Sequence, residues 1–285
     1  MKKAICIGFE YNGEKRLPGI AVDLYLAYRF LKNNGWQDSQ IKVLTDIKKD
    51  HPTNILKTAI LEKTVDSGVL SFIEELKEKK SYQLYKSQNH YNNFISSISE
   101  NIDCLFIYYT GHSKDGNFIL PEGSMFSFIH FRDSLKAQQI ILIMDCCEGG
   151  LSLPFVLNEG IYRFECESVK ESVKETVKET TKETTNTSLI FVKPEIVCIS
   201  SSLENEKAIT SKSGSIFSKH LFTVLKDNSV TVNKLIQEVN SLLKVKQTAN
   251  VSASYPIHQI FGWLYSFPPL SIKITPLYIE VTLFN

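Results

Sequence analysis

A chain of 285 residues with 43% hydrophobic and 22% charged residues can bury a sizeable core and has the balance of a globular protein. Its formal net charge of +1 gives no electrostatic basis for binding nucleic acid or an anionic membrane. No run approaches the roughly 18 apolar residues of a membrane-spanning helix, so the expected location is cytoplasmic, with no membrane partner.

Residues 3–11, KAICIGFEY, hold too short an apolar run for a signal-peptide core and read as a first strand. Residues 21–35 have helical periodicity and stop at Gly35. Residues 41–46 are a second strand, and the polar stretch 53–100 predicts helices over 69–80 and 90–100. Residues 103–111, DCLFIYYTG, and 138–146, QQIILIMDC, contain the wholly apolar runs of strands buried on both faces of a parallel sheet. A fifth strand follows at 194–202, helices at 215–227 and 231–246, and a weaker last strand at 255–263. This alternation predicts an α/β fold, with a mostly parallel central sheet of about six strands and helices on both faces.

One segment breaks the pattern. From Glu167 the chain reads ESVK-ESVK-ETVK-ETTK-ETT. As a helix it would stack Glu167, Glu171, Glu175, Glu179 and Glu183 in one repelling row, and it has almost no apolar area to bury. It reads as a disordered linker, either merely solvated or functional by virtue of its position. The tail at 267–285 alternates like a strand late on.

Of the six cysteines, Cys6, Cys104 and Cys198 fall inside strands and read as small core residues. There is no C-x-x-C and no His at metal-ligand spacing, so no metal, cofactor or disulfide framework is expected. No Gly-rich phosphate motif supports nucleotide binding in an unrelated α/β domain. His51, His90, His130, His220 and His258 show no partner spacing. His112 and the pair Cys146–Cys147 differ, because each follows an apolar strand. Chemistry in open α/β sheets gathers at the carboxyl ends of strands, so neighbouring strands would deliver an imidazole and a thiol to one rim. That is the minimal apparatus for nucleophilic acyl transfer.

The chain resembles the caspase-fold cysteine proteases, most closely the metacaspase and paracaspase branch. YYTGHS at 108–113, DCCEGG at 145–150 and LPGIAVDLYLAYRFL at 17–31 carry the resemblance, with CISSSLENEKA at 198–208 and GSIFSKHLFTVL at 214–225 like the start of a small subunit. The resemblance covers roughly residues 3–262. It implies His112 as the catalytic histidine and Cys147, second of the pair, as the nucleophile, with Gly149 and Gly150 letting the backbone turn and Cys146 pointing into packing. It implies an oxyanion hole from the backbone N–H groups of Ser113 and Cys147. It also implies that Asp23 and Asp145 line the pocket for the residue before the scissile bond, which two carboxylates would make Arg or Lys. The residues themselves leave Asp23 a second reading, as a helix-start carboxylate favoured by the dipole.

Several positions depart from the family pattern. Ser113 replaces the usual Gly; if that position needs φ > 0, a non-Gly residue costs about 1 kcal/mol or more. Glu148 replaces the usual His, and an anion there would raise the thiol pKa. The calcium ligands of many metacaspases are missing: only Asp115 and Glu122 follow His112, and Ser152 stands where Asp is expected. These departures permit an alternative, a catalytically impaired pseudoenzyme acting as a regulator or binding partner. The resemblance divides one caspase-like domain into a large-subunit-like half at 1–164, the linker at 165–190 and a small-subunit-like half at 191–285. Lys170, Lys174, Lys178 and Lys182, one per repeat, are then autocleavage candidates for an enzyme that cuts protein or peptide substrates after Arg or Lys.

Overall fold

A computed structural model of the chain describes residues 1–47, 53–79, 81–98, 102–149, 153, 155–158, 161–164, 195–203, 206–227, 230–244 and 247–254. The principal strands are β1 (Lys2–Gly8), β2 (Ile41–Thr45), β3 (Tyr82–Leu84), β4 (Ile102–Thr110), β8 (Ala137–Asp145), β9 (Phe155–Asn158), β10 (Ile161–Phe164), β11 (Glu195–Ser200) and β14 (Asn250–Ala253). They form one sheet in the order β10-β9-β14-β11-β8-β4-β1-β2-β3. From β3 to β11 every pairing is parallel; β14, β9 and β10 add on antiparallel. Five of the expected strands, β1, β2, β4, β8 and β11, are therefore present in a parallel core; its sixth strand is β3, in a stretch expected to be helical, and β14, β9 and β10 are likewise strands that the sequence does not announce.

Strict alternation sends the side chains of each strand to two separate cores. Cys6, Phe106, Tyr108, Ile141, Ile143, Val197 and Ile199 join the core under α1 (Ile20–Asn33), α2 (Thr53–Leu61), α3 (Gly68–Glu78), α6 (Ile216–Val224) and α7 (Val232–Leu243). Ile5, Ile7, Leu105, Ile107, Tyr109, Leu142, Met144 and Cys198 join the core under α4 (Gln88–Ser96) and α5 (Phe128–Ser134). Cys6, Cys104 and Cys198 are buried core residues, as expected.

Most expected elements stand within a few residues of their predicted ends. The first strand stops early, at Gly8, because Tyr11 takes a left-handed φ of 61°. The helix that begins the second segment ends where Gly35 takes φ 75°. The expected strand at 255–263, the linker and the tail lie outside the described residues. The sheet's antiparallel partner for β11 is β14, whose NVSA sequence offers only Val251 and Ala253 to the core.

Two small hairpins complete the site side of the sheet. Strands β5 (Ser113–Lys114) and β6 (Asn117–Ile119) are joined by Asp115 and Gly116, both at positive φ, with β7 (Met125–Ser127) on the far side of β6. This is the two-residue primed turn that matches strand twist, and the Asp-Gly dipeptide is its usual sequence signal. The other hairpin, β12 (Thr210–Ser211) with β13 (Gly214–Ser215), leads into α6. Gly19, just before α1, makes this packing possible. A Cβ there would meet the Ser211 carbonyl oxygen at 2.2 Å and the Gly214 nitrogen at 2.7 Å. Both are backbone atoms that cannot swing away. Gly19→Ala should therefore lower stability by about 1–3 kcal/mol, the usual range for overpacking, measured by urea denaturation.

Candidate active site

Parallel pairing places Thr110 of β4 directly beside Asp145 of β8. Gly111 N–H continues the ladder to the Asp145 carbonyl at 3.3 Å. His112 and Cys147 each lie two residues beyond that pair, on neighbouring strand ends. The residues flanking them touch, since the Ser113 hydroxyl donates to the Cys147 carbonyl. The two cysteines separate as alternation requires. Cys146 is 1% exposed in the core beside Met144, whereas Cys147 is half-buried at the rim. Burial pushes the Cys146 thiol well up from its usual pKa, which leaves it un-ionised and unreactive.

The expected role for Gly149 needs correction, while Gly150 lies outside the described residues. The left-handed residue is Glu148, at φ 51°, and Gly149 is not at positive φ. Gly149 serves close approach instead: a Cβ there would lie 3.1 Å from the Cys146 carbonyl oxygen and 3.2 Å from its sulfur. The turn is anchored from the other half of the chain. Ser201 and Ser202 hydroxyls both donate to the Cys146 carbonyl, at 3.1 and 2.9 Å, and Glu148 N–H donates to the Glu206 carbonyl at 3.2 Å.

His112 is held from three directions. Its backbone N–H donates to the Tyr11 hydroxyl at 2.8 Å, and that hydroxyl donates onward to the Ile119 carbonyl at 2.6 Å. Its carbonyl accepts from the Tyr109 hydroxyl at 2.7 Å and from Ile119 N–H at 3.0 Å. The Tyr11 ring lies 4.6 Å from the imidazole, centroid to centroid. The strained backbone of Tyr11 is secured by Asp46, whose two carboxylate oxygens accept from Glu10 N–H and Tyr11 N–H at 2.7 and 2.9 Å. Finally, imidazole Nε2 lies 2.7 Å from the Lys15 carbonyl. A carbonyl can only accept, so Nε2 carries the hydrogen and Nδ1 keeps the lone pair that can take a proton.

Asp23 and Asp145 come together in a buried polar chamber, 0% and 4% exposed. Asp23 stands in the first turn of α1, and its bonds reach beyond that helix. Its oxygens accept from Ser215 N–H at 2.7 Å and the Thr110 hydroxyl at 3.4 Å. Asp145 accepts from the Ser218 hydroxyl, which in turn lies 2.6 Å from the Tyr108 hydroxyl. Burial raises both carboxyl pKa values, Asp145 to about 6 and Asp23 well above the usual carboxylate range, with the charge of Asp145 adding to the rise at Asp23. Hydroxyls from Ser218, Ser215, Ser201 and Tyr108 oppose the shift at Asp145, while only Ser215 N–H and Thr110 do so at Asp23. Sequence reasoning reached the two aspartates and missed these hydroxyl partners, which come from four separate elements; only Ser215 has a local signature, as the cap of α6.

Ser113 adopts no positive φ, so it carries none of the strain that a glycine position would impose. It pairs opposite Phe118, between the hydrogen-bonded Lys114–Asn117 pair that flanks the turn and the His112–Ile119 bond. At such an alternate position the backbone N–H points away from the partner strand. Glu122 is taken up by the Tyr85 hydroxyl, and among the described residues no group of three or more His, Cys, Asp or Glu could hold a metal ion. Lys170, Lys174, Lys178 and Lys182 lie outside the described residues.

A family model described as the caspase domain matches residues 1–261. The chain belongs to the caspase-domain family. Its fold is that of protein GSU0716 from Geobacter sulfurreducens, with a TM-score of 0.53 and 13% identity over 90% of this chain and 94% of that one. Caspase-1 from Spodoptera frugiperda matches with a TM-score of 0.49 and 13% identity over 91% of this chain and 89% of that one. No curated protein matches the sequence. No helix among the described residues is long and apolar enough to cross a membrane.

In this caspase domain the Nε2–H to Lys15 bond makes a direct prediction. In 15N-labelled protein at alkaline pH, neutral His112 should give the signature of the Nε2–H tautomer; an Nδ1–H signature would overturn the orientation. Tyr11→Phe should cost about 1–3 kcal/mol in denaturant unfolding, because it strips a part-buried N–H and a part-buried carbonyl of their shared partner.

Proposed function

We propose that this caspase-domain protein is a cysteine endopeptidase of the metacaspase and paracaspase type that cleaves peptides after Arg or Lys. The observation that carries the reading is the pair of buried carboxylates, Asp23 and Asp145, next to the strand ends that bear His112 and Cys147. Among the described residues no cation offsets Asp23, whose neighbours are another carboxylate, one N–H and one hydroxyl. Two desolvated carboxylates sharing a chamber favour a cationic guest and repel an acidic one.

The chemistry follows from the residues. Nδ1 of His112 takes the proton of Cys147 Sγ as the sulfur attacks the scissile carbonyl carbon, forming a C–S bond. The oxyanion is received by the N–H groups of Ser113 and Cys147. The C–N bond then breaks, His112 returns the proton to the leaving amine, and water cleaves the thioester to release the carboxylate. The free thiols, Cys147 among them, suit a reducing, cytoplasmic setting.

A peptidyl reporter ending in Arg or Lys should be cleaved, one ending in Asp should not, and Cys147→Ala should be inert while Cys146→Ala retains most activity. Asp145→Ala should cut kcat/KM on the Arg reporter about a hundredfold or more, as expected for removing one buried partner of an ion pair. Cleavage after Asp, or indifference to charge, would sink the specificity.

The raised carboxyl pKa values add a pH signature. A cationic guest needs an ionised carboxylate, and the Asp145 carboxyl takes up its proton as pH falls through about 6. The ratio of kcat/KM for an Arg reporter to that for a citrulline reporter should therefore fall as pH drops through that value. Whatever the two reporters share cancels in the ratio, so a flat ratio would remove the carboxylates from substrate recognition.

The same preference extends to the chain itself. We infer large- and small-subunit-like halves, 1–164 and 191–285, joined by the 165–190 repeat. Its Lys170, Lys174, Lys178 and Lys182 are four equivalent sites tethered to the enzyme at high effective concentration. Mass spectrometry should find cleavage after one or more of them in wild-type protein and none in Cys147→Ala; identical clipping in both would refute self-processing.

A further inference from the structure

Ser113 and Glu148 both differ from the family's usual residues, and in the sequence each looks like a lesion. In the structure they form two bonds across one gap. The Ser113 hydroxyl of the β5–β6 hairpin donates to the Cys147 carbonyl. One residue further along the nucleophile turn, the Glu148 carboxylate accepts from Asp115 N–H, in the turn of the same hairpin, at 2.8 Å. Both bonds lie within two residues of the Ser113 N–H, which points away from β6.

Both sides of the gap have their own anchors. The nucleophile turn is fastened by Ser201, Ser202 and the Glu206 carbonyl, and the hairpin by its ladder to β6 and β7. The left-handed φ of 51° at Glu148 is uncommon for a residue with a side chain and costs on the order of 1–2 kcal/mol. It is held by the residue's own two bonds, its N–H to Glu206 and its carboxylate to Asp115.

We propose that Ser113 and Glu148 are paired positioning residues, a two-point clamp that sets the spacing between the Ser113 and Cys147 N–H donors. The inference rests on the peptidase reading above. It reverses the expectation for Glu148: the carboxylate acts as a hydrogen-bond acceptor that orders the hairpin, and its charge beside the thiol is secondary. Oxyanion stabilisation depends steeply on donor placement, since losing one donor outright costs about a hundredfold to a thousandfold in kcat. Loosening the gap should cost less than that.

Four proteins test the clamp: wild type, Ser113→Gly, Glu148→Gly and Glu148→Gln. Glycine at 148 accepts the left-handed backbone, so that variant keeps the turn while losing the carboxylate. Glutamine keeps the acceptor and loses the charge. The probes are an Arg reporter, a peptidyl-Arg aldehyde whose adduct occupies the oxyanion hole, and iodoacetamide, which alkylates the thiol without forming an oxyanion.

Ser113→Gly and Glu148→Gly should each lower kcat and weaken the aldehyde about tenfold, with KM and the iodoacetamide rate little changed. Glu148→Gln should stay within about twofold of wild type. Glu148→Gly and Glu148→Gln behaving alike, both faster or both at the wild-type rate, would overturn the clamp and leave only a charge effect or none. Wild-type turnover with unaffected variants removes the clamp alone. Wild-type protein that neither cleaves the reporter nor binds the aldehyde removes the peptidase reading and the clamp with it.

Discussion

The parallel pairing of β4 with β8, in the register that sets Thr110 against Asp145, is the constraint on which the rest of the site depends. A parallel pair brings two strand ends to the same edge, and equal overhangs then lie side by side. His112 and Cys147 are such overhangs. A shift of one residue would send Asp145 and Thr110 to the opposite face and Cys146 to the rim in place of Cys147. The apolar runs on both strands, buried on both sides, lock that register because a slip would exchange two complete cores.

The same alternation explains why one face of the sheet becomes polar at its edge. Ile141, Ile143 and Asp145 point to one side, as do Phe106, Tyr108 and Thr110. Moving toward the carboxyl ends, the core under α1 and α6 passes from hydrocarbon to hydroxyls to carboxylates. Burying two carboxylates together is unfavourable, and the raised pKa values express that cost. An ensemble of Ser, Thr and Tyr donors lowers the penalty without supplying a counter-charge.

The loops around the rim are irregular but strongly bonded. Glu10–Leu17 is closed by Leu17 N–H to the Glu10 carbonyl at 2.7 Å and by the Arg16–Glu10 ion pair at 2.6 Å. Through Tyr11 and the Lys15 carbonyl it fixes the imidazole by both backbone and ring. Under the proposed function this rigidity matters, because proton transfer by His112 would depend on angstrom-scale geometry. Here the rigidity comes from buried hydroxyls that accept one bond and donate another, and such bonds are costly to leave unmade.

Local pattern was enough to read the strand–helix alternation, five of the six parallel strands, the burial of Cys6, Cys104 and Cys198, and the placement of His112 and Cys147 just past neighbouring strand ends. Each follows from periodicity or from the rule that parallel strands end together. Motif resemblance distinguished Cys147 from Cys146, and alternation along β8 accounts for it, with Cys146 packed beside Met144. The Asp-Gly turn of the β5–β6 hairpin is legible in the dipeptide. Only the tertiary structure joined Asp23 to Ser215 across 192 residues, put the Tyr11 hydroxyl under His112, and gave the left-handed backbone to Glu148 rather than to a glycine. These pairings have no periodic trace, because they link elements by single hydrogen bonds whose partners are set by the packing of whole helices and hairpins. Ser113 and Glu148 show the difference most plainly: one at a time they read as departures, and only their meeting across the gap makes them a pair.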